Sequence, residues 1–297
     1  MSTTSVLVEE LGPRGKRRVR IATVVALALA ALAVYWIYLK LSEANQLEAA
    51  RWTDLFDGPT LRFLGKGLLA TIKAAIGAGI GAVAAGFGLA LLRLSKNRLA
   101  RAVALTWVEI FRGLPLLLLI FGVYFIDSSL ASSRGGDATL GAFWSLVIAL
   151  VLYNSAVFSE IFRAGVRSLD HGQTEAAQSV GMSYWQTMGI VVLPQAVRRM
   201  VPAIVAQLAT LTKDVSLGFP IAYEEFVRRG SLTQGFPGTE VRNLQAYVAV
   251  GVVYFLLVWA MARTAQWLDE RQKRTPKAAA AGGIDDLGLD DALGAAP

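Results

Sequence analysis

The chain has 297 residues, 55% of them hydrophobic, with no cysteine and a single histidine, His171. That composition excludes disulfides, thiol nucleophiles and thiolate metal sites, and it leaves no set of histidines for a metal centre or proton relay. The net charge of +7 would suit nucleic acid in a soluble protein, but apolar runs of about 20 residues recur, the length that crosses a bilayer, so basic residues are expected on cytoplasmic loops.

The elements follow in order. Residues 1–20 form a polar segment ending in Arg14, Lys16, Arg17, Arg18 and Arg20, and 21–39 form a first apolar run ending in Tyr35, Trp36 and Tyr38. A basic start and an Ala-Leu-Ala triplet also fit a cleaved signal peptide. The length of the run and its terminal aromatics, which suit a membrane interface, favour a retained span. A mixed connection with Asp57-Gly58-Pro59 as a turn signal leads to a second span over about 63–92, where Gly77-x-x-x-Gly81 and Gly81-x-x-x-Ala85 put small residues on one face. That face could meet another helix of this chain or a sister chain.

A basic loop at 93–101 precedes a third span over about 102–126, interrupted by Arg112-Gly113-Leu114-Pro115, which should bend or break it. The fourth span covers 140–158, the fifth runs from after Arg199 to Gly218 and Pro220, and the sixth covers 244–261. An Ala/Gly/Asp-rich tail over 271–297 has the composition of a disordered segment. The fold class is therefore an all-α membrane protein with about six transmembrane helices. Lys and Arg concentrate at 14–20, 93–101, 160–199 and the tail, so the positive-inside rule puts both termini in the cytoplasm.

On that orientation the amphipathic stretch Glu160–Pro194 is cytoplasmic. Asp170 with Gln173 and Ser183 with Gln186 each have capping-box spacing, so the stretch reads as two short helices hinged at Gly181, with Leu193-Pro194 closing the unit and redirecting the chain. Ala176 and Ala177 would let a partner come close, and Met182, Tyr184 and Trp185 would anchor it. The same features also fit a helix pair lying on its own membrane domain.

Within the spans, Lys213 and Asp214 could offer opposite charges to a zwitterion or pair with other helices such as those carrying Glu109 or Arg112. Asn154 and Ser155 could hydrogen-bond a solute or a neighbouring helix, and Glu160 with Arg163 has the spacing of a local ion pair. The chain has no phosphate-binding loop and no nucleophile or zinc-protease motif, so it is not an enzyme by itself and any transport must be energised by another subunit.

Several motifs resemble those of one family. Glu175-Ala176-Ala177, Gly181 and Leu193-Pro194 are similar to the EAA loop of the permease subunits of bacterial ABC importers, with Val191 where isoleucine is usual. Phe111-Arg112-Gly113-Leu114-Pro115-Leu116-Leu117 resembles an FRGTPLL segment of the polar amino-acid permeases, with Leu114 in place of threonine. Leu152–Ala156, Gln195–Arg199 and Lys213–Leu217 (KDVSL) resemble further segments of the same set. The resemblance covers about 60–270 and implies a five-helix permease domain there, with 21–39 as an extra transmembrane helix and 168–194 as a cytoplasmic coupling element.

The resemblance also implies import of glutamate or a related polar amino acid through the bacterial inner (plasma) membrane. Glu175, Ala176, Ala177, Gly181, Leu193 and Pro194 would meet a cytoplasmic ATPase, and Arg112, Asn154, Ser155, Lys213, Asp214 and Ser216 would line the substrate path. The implied partners are ATPase subunits that bind the ATP, a second permease of similar or identical sequence, an extracytoplasmic solute-binding protein and membrane lipid. No cofactor, metal or nucleic acid is implied. A membrane scaffold that recruits a soluble partner through the loop, or a permease for another small polar solute, would share most of these features.

Overall fold

The computed structural model describes residues 12–133, 135–136, 140–233 and 243–281, and among them every regular element is helical. Six helical segments are long and apolar enough to cross a membrane. The first 11 residues and 282–297, most of the expected disordered tail, lie outside the described residues.

The long helices form around α6 (Gly141–Arg167), the most buried of them. Its partner α3 (Gly58–Leu94) carries Ala74, Ala78, Ala82, Gly86 and Ala90 at spacings of four, a ridge of small buried residues. Gly81 faces Val151 and Gly86 faces Phe158 of α6, so the two helices advance in the same direction. A Cβ on Gly86 would sit 2.6 Å from that of Phe158 and 2.9 Å from the Ser155 carbonyl oxygen. Gly77 and Gly81 thus approach Val147 and Val151 within the chain, one of the two kinds of partner expected for that face. With no competing solvent term between helices in lipid, such close backbone approach is the main source of cohesion.

Two parallel helices need a crossing between them, and α5 (Leu116–Ser133) supplies it. This corrects the third span: residues 102–126 are not one bent helix. Leu114 and Pro115 separate α4 (Arg98–Gly113) from α5, because the residue before proline is pushed out of helical geometry, and Leu114 has ψ 137°. Only α5 is apolar enough to cross, and it reaches seven residues beyond the expected end at Ile126. α4 is instead strongly amphipathic, buries only Ala104 and Val108, and has a true cap in the Asn97 side chain, which accepts from Leu99 N and Ala100 N.

Asp57-Gly58-Pro59 is the start of α3, with proline in its first turn, not a turn ahead of it. The fourth span also extends past 158 to Arg167, so Glu160 and Arg163 belong to α6. The last helix, α11 (Asn243–Ala281), runs through the expected boundaries at 261 and 271, so the first part of the tail is helical.

Running back along α6 is α9 (Leu193–Asp214), followed by a tight 3-10 turn over Val215–Ile221. At the far end of the bundle, α10 (Phe226–Leu232) tucks against α3, with Phe226 N donating to Thr71 Oγ1 at 3.1 Å and Tyr223 Oη to the Ala70 carbonyl at 2.9 Å. The first helix, α1 (Pro13–Glu43), buries none of its residues. The link after it, with α2 (Ala49–Thr53), is held instead at the foot of α11, where Gln245 Nε2 donates to the Gln46 carbonyl at 2.7 Å.

Candidate functional site

The polar stretch between α6 and α9 is shaped by its caps. Asp170 Oδ1 accepts from Gly172 N at 2.9 Å and opens α7 (His171–Ser179). The helix ends in a paired motif: Met182 N donates to the Ala177 carbonyl and Gly181 N to that of Gln178, with Gly181 at φ +87°. This is the Schellman arrangement, and it requires a left-handed residue at that point. Ser183 and Gln186 then form a full capping box that starts α8 (Tyr184–Gln186).

Two expectations for this stretch change. Gln173 does not complete a capping box with Asp170; its side-chain oxygen takes a 2.6 Å hydrogen bond from Gln195 Nε2, tying α7 to α9. Leu193-Pro194 does not close the unit either. A π-helical turn over Thr187–Val192 carries α8 directly into α9, and Pro194 lies in the first turn of α9, where its missing N–H costs little.

Of the residues expected to meet a partner, Glu175, Ala176 and Pro194 are exposed and Leu193 is half-buried. Ala177 is 7% exposed and packs inward, so it is not available as contact surface. Val180 (77%), Trp185 (59%) and Ile190 (69%) present apolar surface outward, and sequence reading had named only Trp185 among them. Tyr184 faces the chain: its hydroxyl donates to the Leu94 carbonyl at 2.8 Å, and Lys96 stands over its ring. Arg199 Nη1 donates to the Ser168 carbonyl at 2.8 Å. The stretch is therefore joined to the ends of α3, α6 and α9 at once.

The polar residues inside the bundle fall at three levels. At the middle, Asn154 and Ser155 are fully buried and bonded within the chain. Asn154 Oδ1 accepts from Gln207 Nε2 at 2.9 Å, and Ser155 Oγ accepts from Trp107 Nε1 at 3.2 Å. Six residues toward the loop end, about 9 Å by helical rise, Glu160 gathers three arginines. Arg93 Nη1 reaches Oε1 at 2.8 Å, Arg163 Nη2 reaches Oε2 at 2.7 Å, and Arg112 Nη1 lies 3.3 Å from Oε1. The local Glu160–Arg163 pair is thus part of a network joining α3, α4 and α6, whose Arg93 gave no sign of its role in the sequence beyond lying in a basic loop.

Six residues from Gln207 in the opposite direction, again about 9 Å, lies Lys213. It is exposed, Asp214 beside it is half-buried, and no ion pair holds either among the described residues. Ser216 Oγ donates back to the Lys213 carbonyl at 2.8 Å. Arg112 and Lys213 are therefore not neighbours. Lys213 instead shares an open face of α9 with Ala203, Ala206 and Thr210, all exposed. Their spacing of three and four residues was readable in advance, but only burial shows which face of α9 stays open.

The described residues contain no group of acidic or histidine side chains able to hold a metal. The arrangement is thus a bundle with a capped, outward-facing helix pair at one end and an exposed lysine beside Asp214 on the open face of α9.

Comparison with known proteins agrees. Residues 77–274 match the family described as "Binding-protein-dependent transport system inner membrane component". The glutamate transport system permease protein GluD of Corynebacterium glutamicum is 35% identical over 240 residues, covering 80% of this chain and 85% of GluD. The probable glutamine ABC transporter permease protein GlnP of Bacillus subtilis is 35% identical over 212 residues, covering 71% of this chain and 94% of GlnP. A chain of a solved amino-acid ABC transporter with histidines superposes with a TM-score of 0.63 at 27% identity, covering 71% of this chain and 94% of that one. With two thirds of its length matched, from the middle of α3 into α11, this chain belongs to the family of binding-protein-dependent transport system inner membrane components, the permeases of ABC importers.

Proposed function

We propose that this chain is the permease subunit of an ATP-driven importer of glutamate or a related polar amino acid, and that it works through the 168–194 stretch. The observation that carries this reading is the joint at that stretch. A capped helix pair turns Glu175, Val180 and Trp185 outward while side chains behind it grip α3, α6 and α9. A cytoplasmic ATPase that seats on the outward side would move all three helices together when it closes on ATP. Both termini lie in the cytoplasm in this reading, as the basic residues at the loop end favour.

The substrate path follows the open face of α9. A lysine about 21 Å along the helix from Arg199 is too deep to face lipid cheaply. Lys213 therefore belongs against a second permease or in the aqueous route between the two, with Asp214 and Ser216 beside it and Ala203, Ala206 and Thr210 leaving room for cargo. Asn154 and Ser155 serve the path by fixing α6 against α9 and α4. A solute-binding protein delivers the amino acid at the far end. ATP stays with the ATPase, and residues 60–270 form the working unit with α1 as an addition.

The test is reconstitution of this chain with its ATPase, second permease and binding protein in proteoliposomes. ATP-dependent uptake of labelled glutamate, glutamine or aspartate is the expected result. An intact complex that hydrolyses ATP yet takes up no amino acid would overturn it.

A further inference from the structure

Arg112 is the least committed member of the cluster around Glu160. Glu160 is already satisfied without it: Arg163 donates Nε at 2.9 Å and Nη2 at 2.7 Å to Oε2, and Arg93 donates Nη1 at 2.8 Å to Oε1. Arg112 approaches Oε1 only to 3.3 Å and forms no hydrogen bond among the described residues, although a guanidinium carries five donors. Its side chain is 49% exposed, against 8% for Arg93 and 26% for Arg163. Three guanidiniums around one carboxylate leave an excess of positive charge that a carboxylate from outside the chain would neutralise.

The direction in which Arg112 faces says where that carboxylate comes from. Along α4, the exposed apolar residues Leu99, Val103, Trp107 and Ile110 share one side. Arg112 is nine residues from Val103, which is about 180° around the helix. Arg98, Arg101 and Glu109, all exposed, lie within about 60° of Arg112, with exposed Leu105 and buried Val108 in the same sector. Buried Ala104, about 80° from Arg112, lies between the two faces. Trp107 on the apolar side reaches into the bundle to donate to Ser155 Oγ, and the polar side carries the half-exposed Arg112 guanidinium at the bundle's loop end.

We propose that Arg112 is a carboxylate-relay residue at the inner end of the transport path. The α-carboxylate of the amino acid takes Arg112 from its loose pairing with Glu160, which stays neutralised by Arg93 and Arg163, and gives it back as the substrate leaves. No covalent step is involved, and every amino acid carries the group recognised. This rests on the reading of the chain as an amino-acid permease.

The full reconstituted transporter tests it with Arg112→Gln and Arg112→Lys. Arg112→Gln should lower uptake at least tenfold while ATP hydrolysis stimulated by the loaded binding protein stays within twofold of the parent. Arg112→Lys, which keeps the charge, should recover at least a third of the uptake. Uptake by Arg112→Gln equal to the parent overturns the relay. So does an equal fall in uptake, hydrolysis and complex yield, which would mark Arg112 as structural. A defect that follows the anionic phospholipid content of the vesicles would assign the guanidinium to a lipid phosphate and also overturns it. If the parent transporter itself moves no amino acid, it is the permease reading that fails.

Discussion

The α3–α6 seam and the α7–α8 stretch solve opposite problems with the same residue, glycine. Along the seam, Gly81 and Gly86 are there because the partner helix leaves no room for a side chain. In the loop, nothing lies within 4 Å of a Cβ on Gly181; that glycine is there because its backbone is left-handed. The seam is held by side chains packed against backbone, whereas the loop is held by polar caps and hydrogen bonds and leaves Val180, Trp185 and Ile190 exposed. A membrane protein can thus be rigid where it must hold and rigid where it must be pushed, by two unrelated means.

The contrast yields graded expectations. Gly86→Val should be the most damaging, costing about 3 kcal/mol or more by forcing α3 from the α6 backbone; it should show as loss of monodisperse protein in detergent, and a well-folded Gly86→Val would mean that the seam opens easily. Gly181→Val should cost about 1–2 kcal/mol, the strain of a left-handed β-branched residue, with normal folding of the bundle but weakened retention of the ATPase on co-purification. Ser183→Ala should cost about 1 kcal/mol through loss of the capping box, read as a lower unfolding temperature with the substrate path unchanged.

The smallest expected effects lie at the far end. Ala222 closes the 3-10 turn in a left-handed conformation (φ 61°), with Tyr223 N donating to the Gly218 carbonyl as in the loop's Schellman motif. Ala222→Gly should therefore stabilise by roughly 0.5 kcal/mol, strain relief exceeding the entropy of glycine; unchanged or lower stability would show that the turn is not strained.

Nearby, burial raises the pKa of Glu225, although Val227 N, Arg228 N, Tyr254 and the charge of Arg228 work against that shift. Burial and the Glu225 charge push Tyr223 up to about 12. Because the folded state holds the Glu225 proton more tightly than the unfolded chain, stability should fall as pH rises from about 4 through the raised folded value, and be level below it. Glu225→Gln should flatten that slope in a pH series of thermal unfolding curves.

Much of this was legible in residue order. Apolar runs of membrane length gave six spans, and local chemistry gave the Ser183 box, the Gly181 bend and the break before Pro115, because caps, left-handed turns and proline effects depend on a few adjacent residues. The ends of helices were less legible: α6 outruns its apolar core where ion pairs hold Glu160 to Arg163 and to Arg93 of α3, and α11 runs on into polar sequence. Gln173 shows the limit of spacing. It fits a capping box as well as Gln186 does, yet Gln195 from a distant segment claims its side chain.

What the sequence by itself determined is the kind of protein: a multi-span helical permease of the ABC importer family, since hydropathy, charge bias and motifs are local or additive properties. Only the tertiary structure decided which faces are closed. It buried Ala177, left Lys213 open, bonded Asn154 to Gln207, and drew Arg93, Arg112 and Arg163 around Glu160. Those outcomes depend on which helix lies beside which, and composition does not say which side of a helix meets its neighbour.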